Sequence, residues 1–255
     1  MSIFYLVLIF FCIFFLFLIG FNLFLKFDYK NKKNTGVKEV IEELNQKVLF
    51  LATSDPFVEK AKKFAIKSHD GVNHKYDNLP YSTHLEPVYN YAVKYAYLLT
   101  NKQGILSWDD LVVIFSSAWC HDCIEDCRKT WNDLNKHLGR RIANIVYALS
   151  NEKGKTRKER ANKKYYKGIR KEQFADYLKI CDRLGNLSYS AQSQSNMLEV
   201  YRKEYKHFKK ELYSKKYEPM FKELEQILKI ENEKNEFISF NNRGTWRFLF
   251  NRFRF

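Results

Sequence analysis

The sequence predicts an all-α domain, and three observations carry that reading. Helix breakers are scarce: the 255 residues include 9 Gly and 4 Pro. Lys, Glu and Leu, all good helix formers, are abundant. Apolar residues recur at helical spacing, and no apolar–polar alternation lasts long enough to define a strand. An apolar share of 45% also excludes a mainly disordered chain. The five cysteines (Cys12, Cys120, Cys123, Cys127, Cys181) are too sparse for a disulfide framework and fit a reducing compartment.

The first element is apolar all round. Ile3 to Leu25 holds eight phenylalanines and no charge, long enough for a bilayer-spanning helix. A cleaved signal peptide fits less well, because no Lys or Arg precedes the run and no small-residue cleavage site follows it. Residues 1–25 therefore read as an N-terminal transmembrane helix. Lys26, Lys30, Lys32 and Lys33 follow directly. Positive flanks stay in the cytoplasm, so the expectation is a single-pass membrane protein, N-terminus outside, with its body cytoplasmic.

Residues 26–53 read as a basic stalk ending in a short helix, Val37 to Ala52. Ser54-Asp55-Pro56 is a helix start, and Phe57, Ala61, Phe64, Ala65 and Ser68 line one face before Gly71 stops it. Val72 to Pro80 reads as a polar loop. A helix then opens at Tyr81-Ser82-Thr83-His84 and runs through Tyr95. Asp109-Asp110 begins the most apolar helix, Leu111 to Cys127, which is expected at the centre of the core. Thr130 caps a helix to Leu138, and Arg140 to Leu149 is another. Lys153 to Lys171 holds ten basic residues and one acid. Helices follow over Phe174 to Leu187, Met197 to Tyr213 and Tyr217 to Glu233. The tail, residues 237–255, interleaves Arg243, Arg247, Arg252 and Arg254 with aromatics and reads equally as apposed to an anionic membrane or as a disordered tail. The net charge of +15 permits nucleic-acid binding, but charge alone is not specificity, and no specific nucleic acid is expected.

The chemistry gathers at His121-Asp122-Cys123-Ile124-Glu125-Asp126-Cys127. On a continuous helix His121 faces Glu125 and Asp122 faces Asp126. Carboxylates crowded at one end of an apolar helix repel unless a cation neutralises them. Further ligands from other helices, His84 and Asp182, complete an N/O donor set suited to Mn, Mg, Fe(II) or Zn, with positions left for water and substrate. Cys120, Cys123 and Cys127 suggest thiolate zinc, but no second ligand pair exists at similar spacing, so buried small hydrophobes are the preferred reading. His69, His74, His137 and His207 receive no role.

Four motifs in order resemble the HD-domain metal-dependent phosphohydrolases, and most closely the RelA/SpoT-type (p)ppGpp hydrolase branch with its small stand-alone hydrolases. They are Phe64-Ala-Ile-Lys-Ser-His-Asp-Gly71, Leu79-Pro80-Tyr81-Ser82-Thr83-His84, His121-Asp122-Cys-Ile-Glu125-Asp126 and Asp182-Arg183-Leu184-Gly-Asn186. The resemblance runs from about Phe57 to Tyr205. It implies an HD-domain helical bundle over 54–236 and a manganese ion on His84, His121, Asp122 and Asp182. It further implies water activation by Glu125 and Asp126, and Asn186 near the nucleotide. Lys75 matches a position usually held by Arg, and a lysine lacks Arg's planar fork. Gly185 stands where the family often has His. Lys155, Arg157 and Arg160 are candidates to neutralise substrate phosphates. The implied activity is guanosine-3′,5′-bis(diphosphate) 3′-pyrophosphohydrolase. The alternatives are an HD phosphohydrolase of another nucleotide, such as a nucleoside monophosphate or NADPH, and a non-catalytic nucleotide-binding module. Oligomeric state is not readable.

Overall fold

The computed structural model describes residues 35–228. Helix α1, Thr35–Thr53, lays Ala52 into the core. Asn45 ties it down: its amide donates to the Gly104 carbonyl at 2.9 Å and accepts from Leu106 N–H at 3.0 Å. Helix α2, Pro56–Gly71, starts where Asp55 accepts the Phe57 N–H at 2.7 Å, with Pro56 in the first turn. The expected polar loop instead closes as a small antiparallel hairpin, β1 (Lys75–Tyr76) with β2 (Leu79–Pro80). Its two-residue turn, Asp77-Asn78, takes positive φ at both positions (51° and 66°), which Asp and Asn tolerate.

Helix α3 spans Ser82–Lys94 and α4 spans Trp108–Cys120. The single helix expected from Leu111 to Cys127 is broken. It ends at Cys120, Asp122 takes φ −98° and ψ 0°, and a one-turn helix α5, Cys123–Asp126, follows. Then come α6 (Trp131–Leu138), with a Thr130/Asp133 capping box, and α7 (Arg140–Leu149). The basic segment folds into α8 (Arg157–Arg160) and α9 (Lys163–Lys171). Helices α10 (Ala175–Gln192) and α11 (Met197–Leu212) and a helical stretch over 218–228 close the described chain.

Helix α4 is central, packed by α1, α2, α3 and α7. Ile114, Phe115 and Ala118 are fully buried there, as the apolar run predicts. Helix α10 lies along α3. A β-carbon on Gly185 would meet Val88 Cγ2 at 3.0 Å, so the missing side chain permits this close approach. Between the same helices, the buried Tyr177 hydroxyl donates to the Ala92 carbonyl at 2.6 Å.

The membrane expectation is corrected. Among the described residues no helix is long and apolar enough to cross a membrane. The longest, α1, carries Lys38, Glu39, Glu42, Glu43 and Lys47, whose charges do not enter hydrocarbon. The anchor expected over 1–25 and the basic-aromatic tail over 237–255 lie outside the described residues. The single-pass placement, with membrane as partner and a cytoplasmic body, is therefore withdrawn.

Candidate metal centre

Three helices deliver four side chains to one point. His84 sits in the first turn of α3, His121 ends α4, Asp122 occupies the break after it, and Asp182 lies in the middle of α10. His84 Nε2 is 3.1 Å from His121 Nε2, 3.3 Å from Asp122 Oδ2 and 3.5 Å from Asp182 Oδ1. His121 Nε2 is 3.0 Å from Asp122 Oδ2 and 3.7 Å from Asp182 Oδ1. Both imidazoles are buried.

This donor set fits a divalent ion. Neighbouring donors on an octahedral ion with bonds of about 2.1 Å lie roughly 3 Å apart, close to the observed separations. His121 Nδ1 donates to the Ala118 carbonyl at 2.8 Å, which turns its Nε2 lone pair toward the cluster. A lone pair aimed at a carboxylate oxygen is repulsive unless a proton or a metal cation lies between them. The electrostatics report the same demand. Burial lowers the His84 pKa, but Asp122 and Asp182 overcome it and push it up to about 9. Burial raises the Asp122 carboxyl, yet His121 and His84 hold it well below the usual carboxylate range. For Asp182, burial is likewise overcome, first by the Lys179 ammonium and then by the imidazoles.

A second ring of groups surrounds the four. The Tyr81 hydroxyl reaches Asp122 Oδ2 at 2.7 Å and Asp126 Oδ2 at 3.1 Å, joining both carboxylates. Burial and the negative charges of Asp122 and Glu125 push the Asp126 pKa up to about 6. Glu125 does not face His121, because the helix breaks between them. Its carboxylate accepts from Asn151 Nδ2 at 2.7 Å and Asn151 N–H at 3.2 Å. Asn186 donates to Asp182 Oδ1 at 2.6 Å and accepts from the Tyr76 hydroxyl at 3.1 Å. The Tyr76 ring stacks on His84 with centroids 5.0 Å apart.

Lys75 is exposed on β1 beside Tyr76. Of the three basic candidates, Arg157 is engaged by Glu204 at 2.8 Å, an acid shared with Arg183 at 3.0 Å, the residue after Asp182. The Lys155 side chain is exposed and Arg160 is half-buried. Sequence reasoning missed Lys179, which donates to Asp182 Oδ2 at 2.8 Å and is largely buried. A lysine three residues before an acid on an otherwise buried helix face is the signal that pointed to it. Tyr81 and Asn151 were missed as well, since nothing in their spacing marks a tertiary contact.

Fold and cluster together define an all-α domain with a His, His-Asp, Asp centre suited to a divalent cation. No family model matches the chain. It is similar to proteins described as guanosine-3′,5′-bis(diphosphate) 3′-pyrophosphohydrolase MESH1. The Mus musculus and Homo sapiens proteins are 26% identical over 101 residues and that of Xenopus tropicalis 27%. Each match covers 40% of this chain and 54% of the relative, so the chain spans about half the length of the curated relatives it matches. The resemblance to the HD-domain (p)ppGpp hydrolases therefore rests on sequence similarity as well as on motif order.

Proposed function

We propose that the chain is a metal-dependent phosphohydrolase and that its substrate is guanosine 3′,5′-bis(diphosphate), cleaved at the 3′-diphosphate to release pyrophosphate. The observation that carries this reading is the convergence of two imidazoles and two carboxylates from three helices, all neighbouring pairs quoted above lying 3.0–3.7 Å apart. Similarity to proteins described as 3′-pyrophosphohydrolases of this nucleotide supports the substrate.

His84, His121, Asp122 and Asp182 would hold the ion, taken to be Mn²⁺, which when bound would activate water and neutralise phosphate charge. Asp126, with its pKa near 6, takes the proton of the attacking water at its carboxylate. Glu125, fixed by Asn151, orients that water from the position before Asp126 in α5. Asn186 holds Asp182, and the resemblance puts it near the nucleotide. Lys75, Lys155, Arg157 and Arg160 are the basic side chains that would neutralise the substrate phosphates, Arg157 on release from Glu204. The hydrolase domain is taken as 54–236.

One observation favours a second reading, hydrolysis of another nucleotide: Lys75 stands on an exposed two-residue strand where the resembled family places an Arg. Both readings are tested with the purified chain, Mn²⁺ and a nucleotide panel, following pyrophosphate and phosphate separately. Pyrophosphate from guanosine 3′,5′-bis(diphosphate), abolished in Asp122→Ala, is the expected result. Phosphate from a nucleoside monophosphate or NADPH moves the assignment to the second reading. No turnover of any member overturns the enzymatic assignment.

A further inference from the structure

A second ligand cluster lies beside the first and uses different chemistry. Cys123 opens α5 and Cys127 caps it, so the two thiols stand one helical turn apart on the same face. The end of α2 brings His69 against them. One ring nitrogen of His69 and the sulfurs of Cys123 and Cys127 all lie within 4.8 Å of one another. All three residues are buried: His69 1% exposed, Cys123 0% and Cys127 3%.

The imidazole keeps one nitrogen without a partner. His69 Nδ1 meets His74 Nδ1 at 3.2 Å, and His74 in turn faces Asp126 Oδ2 at 3.9 Å. The other ring nitrogen, Nε2, is buried and has no hydrogen-bond partner. A buried imidazole nitrogen left without a partner costs about 1–3 kcal/mol, so its persistence needs a reason. The neighbouring thiol Cys120 donates to the Ala61 carbonyl at 3.5 Å and also meets the Cys123 sulfur. Imidazole and two thiolates are soft and borderline donors, whereas the centre described above offers only nitrogen and oxygen.

We propose that His69, Cys123 and Cys127 form a second metal site, taking a thiophilic divalent cation of the Zn²⁺ class that clamps α5 to the end of α2. Asp122 and Asp126 immediately precede the two cysteines. The clamp therefore fixes the turn that carries them. Binding deprotonates both thiols and releases two protons to solvent. Burial pulls the His69 pKa down to about 4, so the imidazole arrives neutral and no proton leaves it. The sequence alone argued against thiolate zinc because no second ligand pair was visible. The structure supplies the missing partner from a helix some fifty residues earlier.

Cobalt substitution of the whole 255-residue chain tests the proposal. The reduced protein is stripped with chelator and titrated with Co²⁺. A near-ultraviolet sulfur-to-cobalt charge-transfer band is expected, with two ions bound per chain. Cys123→Ser/Cys127→Ser loses the band and one of the two ions. His69→Ala weakens the Co²⁺ binding that produces the band, whereas Asp122→Ala keeps the band. The band in the unaltered chain is read without relying on any variant to fold. Its absence there, or its survival after both cysteines are replaced, overturns the proposal. None of these readouts uses hydrolysis, so failure here is distinct from failure of the phosphohydrolase reading.

Discussion

Replacing Asp126 by Asn is expected to stabilise the protein while damaging its chemistry. Asp126 shares the Tyr81 hydroxyl with Asp122, and burial with the charges of Asp122 and Glu125 raises its pKa from 3.8 to about 6. The folded carboxyl thus holds its proton more tightly than the unfolded one. Between those two values the folded state binds more protons, so stability falls as pH rises through the window. At about 1.4 kcal/mol per pH unit the full penalty is about 3 kcal/mol. With 30% of the side chain exposed, solvent screening reduces the expected figure to about 1.5 kcal/mol. Asn keeps the shape and an acceptor for Tyr81 but carries no charge. Urea unfolding in chelator, from pH 3.5 to 8, is the assay. Asp126→Asn should gain on the parent by about 1.5 kcal/mol above the window relative to below it, or roughly 3–6 °C in Tm. A difference between variant and parent that does not change with pH refutes the reasoning.

Further outcomes are expected at neighbouring positions. Mn²⁺ at 100 times its Kd should stabilise the parent by about 2.7 kcal/mol, and Asp122→Ala should abolish this gain in a thermal melt. Asn151→Ala removes the side-chain amide bond to Glu125 and leaves the weaker backbone N–H bond in place. Turnover should drop by about tenfold or more while Mn²⁺ affinity, read by calorimetry, stays near the parent value. Gly185→Ala places a β-carbon 3.0 Å from Val88 Cγ2. The strain of about 1–3 kcal/mol outweighs the roughly 1 kcal/mol helix-propensity gain, so a net loss near 1 kcal/mol is expected on denaturation. Tyr177→Phe removes the buried hydroxyl bond to the Ala92 carbonyl, and stability should fall by about 1–2 kcal/mol with Mn²⁺ affinity unchanged.

Helices with one apolar face were readable because their spacing reports burial directly. The α2 cap at Asp55, the Thr130 box before α6 and the apolar core face of α4 all follow from local chemistry. The four clustered ligands were legible as a set because their residue types and order restrict the chemistry. What escaped depends on tertiary contact or backbone conformation. The Asp77-Asn78 turn needs two positive φ angles that no hydropathy pattern records. The break after Cys120 was invisible because residues 111–127 hold no Gly or Pro, and it turned Glu125 toward Asn151. Apart from its spacing to Asp182, Lys179 carries no local signal that sets it apart, although burial beside that acid makes it part of the centre. His69 and the cysteines looked inert because their partners lie on separate helices.

The break between α4 and α5 also sets how the region can vary. Successive residues on an unbroken helix point about 100° apart, so His121 and Asp122 would aim at different neighbours. At the joint, both aim inward and their reacting atoms end 3.0 Å apart. The joint behaves as a fixed hinge pin rather than a linker. Lengthening either helix at its far end leaves the pin in place. Inserting or deleting one residue between Cys120 and Cys123 rotates everything after it by more than a quarter turn. Asp122 then parts from His121, Asp126 from Tyr81, and both thiols from His69 in a single step.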